Sequence, residues 1–139
     1  MNWKLFALGS AFFAGLTAVL SKIGVEDIPS NLATLIRTIV ILLFLIGLVL
    51  ARGEWRSPGE LSGRSFLFLV LSGLATGFSW ICYYRALQIA PASLVAPLDK
   101  LSLIFAVLLA VLFLGERLTV VQWAGAALMT SGAILLILK

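Results

Sequence analysis

Histidine is absent from this 139-residue chain, and cysteine occurs once, at Cys82. Without histidine the chain has no Ser-His-Asp triad and no ordinary zinc site, and one cysteine cannot form an internal disulfide. The glycine motifs that bind phosphates and dinucleotides are missing as well. These absences predict a protein that is not an enzyme and that holds no metal and no cofactor.

Charged residues are also scarce. They make up 12% of the chain against about 25% in an ordinary soluble domain, and 62% of the residues are apolar. The mean hydropathy is +1.15. Such a chain predicts an integral membrane protein, one domain over residues 1–139, whose first partner is the lipid bilayer. The net charge of +4 is scattered without a basic stripe, which argues against binding of nucleic acid.

Apolar runs of about 20 residues are abundant, and each is long enough to cross a bilayer as a helix. The sequence therefore predicts an all-α membrane bundle of five transmembrane helices, at residues 3–22, 32–51, 65–87, 94–114 and 118–138. The last run has no charged residue and gives the strongest signal. The connections are short, which leaves no room for a water-soluble domain.

The distribution of positive charges between the two sides predicts the orientation in the membrane. One side carries Lys4, Arg52, Arg56, Arg64 and Arg117, and the other carries Lys22 and Lys139. This bias favours a cytoplasmic N-terminus and an outside C-terminus in a cell inner membrane. Arg85 lies near the second side and weakens the bias, so insertion in both orientations stays open.

The remaining charges converge on the outer third of the bilayer under this topology. Arg37 lies about five residues into the second helix, roughly 8 Å deep. Arg85 lies near the outer end of the third helix, while Asp99 and Lys100 lie five or six residues into the fourth. Ionisable groups below the membrane surface are costly and usually belong to a site. We therefore predict that these four residues bind a solute or a coupling ion.

Other side chains surround this predicted site. Trp80 lies too deep in the third helix for an interfacial aromatic belt, and with Tyr83 and Tyr84 it is predicted to line the pathway. Lys22, at the outer end of the first helix, is predicted to lie at the rim. Snorkelling of Lys22 or Lys100 to the surface is the alternative for those two residues. A position at the membrane interface is the alternative for Arg85, and plain helix packing is the alternative for Trp80.

Helical geometry separates the two neighbouring charges of the fourth helix. Adjacent helical residues point about 100° apart, so Asp99 and Lys100 are not expected to face one another. Asp99 shares a face of small residues and is expected to pair with Arg37 or Arg85, either in the site or as a purely structural ion pair. Lys100 is expected to line a cavity or to snorkel outward.

Glycines at helical spacing mark two further faces. Gly73 and Gly77 form a small-xxx-small pattern in the third helix, and Gly125 and Gly132 lie in the fifth. Small residues let helices approach closely in a bilayer. We predict that these four glycines serve helix packing or contacts in a dimer.

The chain from Tyr83 onward carries several short motifs. The most specific are Ala86-Leu87-Gln88 with Ala92-Ser93, then Leu114-Gly115-Glu116-Arg117-Leu118-Thr119, then Gln122-Trp123-Ala124-Gly125 with Gly132. With these motifs, and with Lys22 and Arg37, the chain resembles the EamA-type family of the drug/metabolite transporter superfamily. The resemblance covers nearly the whole chain and is strongest over the last 60 residues or so.

This resemblance implies a function and an assembly. Typical members have ten helices in two five-helix repeats of opposite topology, and this chain looks like one repeat. The resemblance implies a secondary transporter of a small polar or anionic metabolite that works by alternating access as a homodimer, with either a parallel or an antiparallel second copy. The first helix lacks the membrane-embedded Glu of the small multidrug-resistance relatives. A non-transporting membrane subunit and a flippase component for lipid-linked head groups are the alternatives.

Overall fold

The computed structural model describes residues 2–57, 59 and 61–138, and these residues form helices and short connections. The helices are α1 (Trp3–Gly24), α2 (Ser30–Ala51), α3 (Gly63–Ile89), α4 (Ala92–Asp99), α5 (Ser102–Leu114) and α6 (Val120–Leu135). Four spans are long and apolar enough to cross a membrane, namely α1, α2, α3 and the joint length Ala92–Leu114, and α6 is a shorter apolar helix. The predicted all-α bundle of five membrane helices is confirmed. Lys139, which sequence analysis placed on the outer side, lies outside the described residues.

The fourth span differs from its prediction because it is interrupted. The sequence predicts one helix over 94–114, whereas α4 ends at Asp99 and α5 begins at Ser102. Pro97 lies inside α4 and has no amide hydrogen, so one α-helical backbone hydrogen bond is already missing before the helix ends at Asp99. Across the interruption the backbone forms shorter-range bonds, with the Lys100 amide 3.0 Å from the Pro97 carbonyl and the Leu101 amide 3.0 Å from the Leu98 carbonyl. The fourth span is therefore two helical pieces joined by a tight turn.

The last helix is shorter than predicted. Thr119 caps α6, because its hydroxyl accepts from the Gln122 amide and the Gln122 side chain accepts from the Thr119 amide at 2.7 Å. This capping box places the helix start at Val120 instead of 118. The 16 residues of α6 extend about 24 Å along the axis. Gln122 therefore has a structural role in the motif that carries the family resemblance.

The turn between α5 and α6 depends on one glycine. Gly115 has a φ of 68° and a ψ of 22°, the left-handed conformation that ends many helices. The Glu116 amide then donates to the Ala110 carbonyl at 3.3 Å. Gly115 therefore lets the chain leave α5 sharply and reach α6 through a short connection.

The chain divides into two compact units. The first unit contains the residues up to Leu20 and those from Ala90 onward, and the second contains Ser21–Ile89. In the first unit α4 and α5 pack on α6, and in the second α2 packs along α3. Several of the buried residues are alanines, namely Ala18, Ala33, Ala126 and Ala133. Small residues at helix contacts are typical of membrane bundles.

Candidate solute-binding and coupling site

Arg37 in the second unit lies against two aromatic rings of α3. Its Cζ is 4.3 Å from the centroid of the Trp80 ring and 5.8 Å from that of Tyr84. The two rings are four residues apart, so they lie on one stripe of α3. Arg37 is seven residues after Ser30, about 10 Å along α2, and Trp80 is nine residues before Ile89, about 14 Å along α3. Three predicted site residues therefore meet well inside the membrane-spanning lengths.

The interactions of Arg37 are aromatic. A guanidinium group over an aromatic ring is attracted by the ring's quadrupole, by about 1–2 kcal/mol when the pair is shielded from water. Within the described part of the second unit, Arg37 has no carboxylate partner, and no hydrogen bond uses its five donors. Arg37 is half-buried. The rings therefore hold the cation in place while leaving its hydrogen-bonding capacity available.

The end of α1 is fastened to α3 by two side-chain hydrogen bonds. The Lys22 ammonium group donates to the Leu87 carbonyl at 2.7 Å, and the Ser21 hydroxyl lies 2.8 Å from the Tyr84 hydroxyl. A cation beside the last carbonyls of a helix is favourable, because those carbonyls have no partner within the helix. Lys22, predicted as a rim residue, therefore also caps α3.

Gln88 extends this contact to the connection between α1 and α2. Its amide nitrogen donates to the Ile28 carbonyl at 2.9 Å and to the Val25 carbonyl at 3.3 Å. Its amide oxygen accepts from the guanidinium of Arg85 at 3.0 Å. Arg85 is exposed, whereas Val25 and Leu87 have no exposed surface. The α1–α3 contact, meaning Ser21, Lys22, Val25, Tyr84, Leu87 and Gln88, thus joins a polar network to an apolar core.

Sequence reasoning missed two members of this network. Ser21 and Gln88 were not predicted as site residues, although Gln88 belongs to the Ala86-Leu87-Gln88 motif. A side-chain amide near the end of an apolar helix, such as that of Gln88, indicates a hydrogen-bond partner elsewhere in the chain, since buried polar groups are hydrogen-bonded. The partner could not be named from sequence, because the bonded residues are 60 to 65 positions apart.

In the first unit, the predicted separation of Asp99 and Lys100 is wrong. The Lys100 ammonium nitrogen lies 3.3 Å from a carboxylate oxygen of Asp99. The prediction assumed a continuous helix, whereas α4 ends at Asp99 and the tight turn that follows lets the flexible lysine side chain reach back. The Asp99 side chain is 35% exposed and that of Lys100 58%. Pairing of Asp99 with Arg37 or Arg85 would join the two units and stays a prediction.

Tyr83 and the four glycines complete the predicted residues. Tyr83 is half-buried, and its ring lies 6.3 Å from that of Tyr84 in an edge-to-face arrangement.

A Cβ added at any of the four glycines predicted to serve helix packing would meet no atom of another described element within 4 Å. Within their own units, the glycines therefore make no close helix contact, and their predicted role between two copies stays a prediction. These glycines are Gly73, Gly77, Gly125 and Gly132.

The bond between Ser21 and Tyr84 yields a prediction about stability. Replacing Tyr84 with phenylalanine is expected to lower the free energy of unfolding by about 1 kcal/mol, because one buried hydrogen bond is lost. Thermal denaturation in detergent measures the change. In a double-mutant cycle with Ser21→Ala, the second substitution should then cost little more. Strictly additive losses would contradict a direct bond between the two hydroxyls.

The sequence of this chain is similar to known membrane transporters over nearly its whole length. Residues 1–138 match the EamA-like transporter family. A protein of Sinorhizobium sp described as "Uncharacterized transporter in cobO 3'region" is 53% identical over 135 residues, which cover 97% of this chain and 96% of that protein. No solved structure matches the chain significantly. The family match over residues 1–138, together with the apolar helices, shows that this chain belongs to the EamA-like transporter family and is a multi-pass membrane transporter, not an enzyme.

Proposed function

We propose that this chain is a secondary transporter that moves a small polar or anionic metabolite by alternating access, as a dimer of five-helix chains. The observation that carries the proposal is the interruption of the fourth span at Asp99 and Lys100. Interrupted membrane helices form the substrate and ion sites of many secondary transporters, because their helix ends carry partial charge and free backbone groups. An ion pair at such an interruption is therefore a candidate for coupling.

The interruption suits the two charges that it carries. Lys100 follows the last residue of α4, where carbonyl groups favour a cation, and Asp99 precedes α5, whose first amides favour an anion. Because α4 and α5 are separate pieces, each can tilt without stretching the other. In the proposed mechanism Asp99 holds a counter-charge or carries a proton as these pieces move.

The solute class follows from the excess of positive charge. Arg37, Arg85 and Lys100 supply cations to the proposed pathway, against the single carboxylate of Asp99. Trp80, Tyr83 and Tyr84 form its wall, and Lys22 lies at its rim. A pathway with this field favours anionic and polar solutes over cations.

A second copy of the chain provides the second repeat in this proposal. The relative from Sinorhizobium sp is covered over 96% of its own length, so it too consists of about one repeat. In one copy the N-terminus lies in the cytoplasm and the C-terminus outside, and the second copy is inserted in the opposite orientation. A reporter fused to the C-terminus and read on both sides tests this, since roughly equal signals mean dual insertion and one-sided signal excludes an antiparallel homodimer.

The test of transport uses the purified chain alone in liposomes. The liposomes are filled with a defined mixture of small carboxylates, amino acids and sugars, and the contents are followed by mass spectrometry. We expect faster loss of at least one anionic or polar solute than from protein-free liposomes. Retention of every solute would contradict the proposal and favour a non-transporting subunit. Transfer of a lipid-linked anionic head group, without solute loss, would favour the flippase alternative.

The dimer can be tested at a glycine of α3. Gly77→Leu is expected to reduce cross-linked dimer about tenfold, because a bulky side chain blocks close helix approach between copies. It should leave the single chain folded, since the added Cβ meets no atom of the other described elements within 4 Å. Gly47→Leu in α2, where the space is equally open, is the matched control. Equal cross-linking of both variants would contradict a dimer contact at Gly77.

A further inference from the structure

We propose that Arg37, held against Trp80, is the binding group for the carboxylate of a monocarboxylate solute. The inference rests on the proposed transport function and narrows its solute class. The proposal is carried by the position, contacts and available donors of Arg37.

The first step concerns how the guanidinium group is held. Trp80 occupies one side of the group, 4.3 Å from Cζ to the ring centroid, and Tyr84 adds a second ring at 5.8 Å. Tyr84 is itself fixed, because it is buried and its hydroxyl is bonded to Ser21 at 2.8 Å. Within the described part of the second unit, no hydrogen bond uses the N–H groups of Arg37. The donor fork therefore stays available on a restrained support.

The second step concerns the charge. A cation this far from the end of a membrane helix is costly unless it is paired, and a cation–π contact offsets only part of the cost. In the described part of its own unit, Arg37 has rings and no carboxylate as partners. An incoming anion would complete the electrostatics of the site. Arginine binds planar carboxylates through two parallel hydrogen bonds, which are among the strongest hydrogen bonds in proteins.

The third step distinguishes a carboxylate from a doubly charged phosphate. The two other cations near the C-terminal end of α3 each donate to a neutral acceptor, Lys22 to the Leu87 carbonyl and Arg85 to Gln88. Among these three cations, Arg37 is the one whose donors no hydrogen bond uses within the described part of the unit, so it provides one positive charge with a donor fork available to a solute. One charge neutralises a monoanion, whereas a dianion would leave a negative charge inside the membrane. The site fits a monocarboxylate.

The experiment measures ligand-induced stabilisation of the full chain in detergent. The probes are sodium acetate, butyrate and benzoate at constant ionic strength, with acetamide, butyramide and benzamide as neutral analogues of the same shape. At least one carboxylate should raise the melting temperature in a saturable way, and the amides should not. In Arg37→Gln the apparent affinity should fall about 10- to 100-fold, the effect of losing charge-assisted hydrogen bonds.

A matched control is available in the same unit. Arg64 also lies against a ring of α3, with Cζ 6.0 Å from the Phe68 centroid, but it is exposed at the beginning of the helix. Arg64→Gln should keep the carboxylate response of the unmodified chain. Arg37→Lys, which keeps the charge and removes the fork, should retain a weaker response.

A second readout covers the case in which Arg37→Gln does not fold. Replacing Trp3, Trp55 and Trp123 with phenylalanine leaves Trp80 as the one tryptophan. Its fluorescence should change with carboxylate, because the cation beside its ring acquires a partner, and it should not change with amide. Stabilisation by amides as strong as by carboxylates, an unchanged response in Arg37→Gln, or stronger stabilisation by inorganic phosphate would each overturn the proposal. So would the absence of any response to the three carboxylates.

Failure of this inference is separable from failure of the transport proposal. Binding is measured in detergent without a membrane gradient, and transport is measured as loss of solute from liposomes. A carboxylate response without solute loss would support the site and contradict transport. Loss of sugars or other neutral solutes from liposomes, with no carboxylate response, would support transport and overturn the site.

Discussion

Asp99→Asn is expected to reduce solute flux in liposomes about 100-fold while the chain stays folded. The substitution removes the carboxylate from the interrupted fourth span and leaves the Lys100 ammonium, 3.3 Å away, without its ion-pair partner. A site inside the membrane depends strongly on such a group, whether it balances a charge or carries a proton. Thermal denaturation of the same preparation verifies that the variant stays folded.

Another ion pair among the described residues serves as the control. Arg52 and Glu54 lie 4.0 Å apart after the end of α2, with side chains 64% and 60% exposed. Glu54→Gln removes a more exposed carboxylate outside the spanning helices and should leave flux within about twofold of the unmodified chain. Equal losses in the two variants, or unchanged flux in Asp99→Asn, would contradict a role for the interruption in transport.

Exchange of the two charges separates the two roles proposed for Asp99. The double variant Asp99→Lys with Lys100→Asp keeps an ion pair at the turn between α4 and α5 but moves the carboxylate by one residue. Substantial recovery of flux indicates that the local pair is sufficient. Persistent loss indicates that the carboxylate must stand at position 99, as a residue that carries a proton would require.

Leu87→Ala is expected to lower the free energy of unfolding by about 2–4 kcal/mol, the largest effect on stability among the substitutions considered. Leu87 is fully buried together with Val25, and its carbonyl accepts the Lys22 bond. The smaller side chain leaves a cavity where α3 meets the end of α1. Denaturation in detergent measures the loss, and the flux should fall with the fraction of folded protein.

Ile89→Ala is the matched control for this prediction. Ile89 lies two residues further along α3, and 74% of its surface is exposed. Its truncation should change the free energy of unfolding by less than about 0.5 kcal/mol. Similar losses in both variants would contradict the view that the α1–α3 contact is the tightly packed part of the second unit.

The sequence predicted the helices well, because uninterrupted apolar runs of membrane length have few alternatives in a bilayer. It predicted less about what happens inside a run. The sequence contains Pro97, but it does not specify that α4 ends at Asp99. The contact of Lys100 with Asp99 depends on the backbone of the turn that follows. A helical wheel assumes continuity, and it failed at the point where continuity is lost.

The candidate site shows the same division. The depth of Arg37 and Trp80 followed from their positions in apolar segments, so both were predicted as site residues. The stacking of Arg37 on Trp80 and Tyr84 depends on how α2 packs along α3, which periodicity does not specify. The roles of Ser21 and Gln88 depend on contacts between residues about 60 positions apart. Tertiary packing, and not local pattern, determines these partners.

The most direct test of a dimeric transporter is to reconstitute mixtures of the unmodified chain and Asp99→Asn. With equal amounts and random pairing, about one quarter of the dimers contain two unmodified chains. If one pathway between the copies needs both ion pairs, flux should fall to roughly one quarter of that of the unmodified protein at the same total amount. A fall to one half, in proportion to the unmodified chain, would contradict a shared pathway and indicate that each copy acts alone.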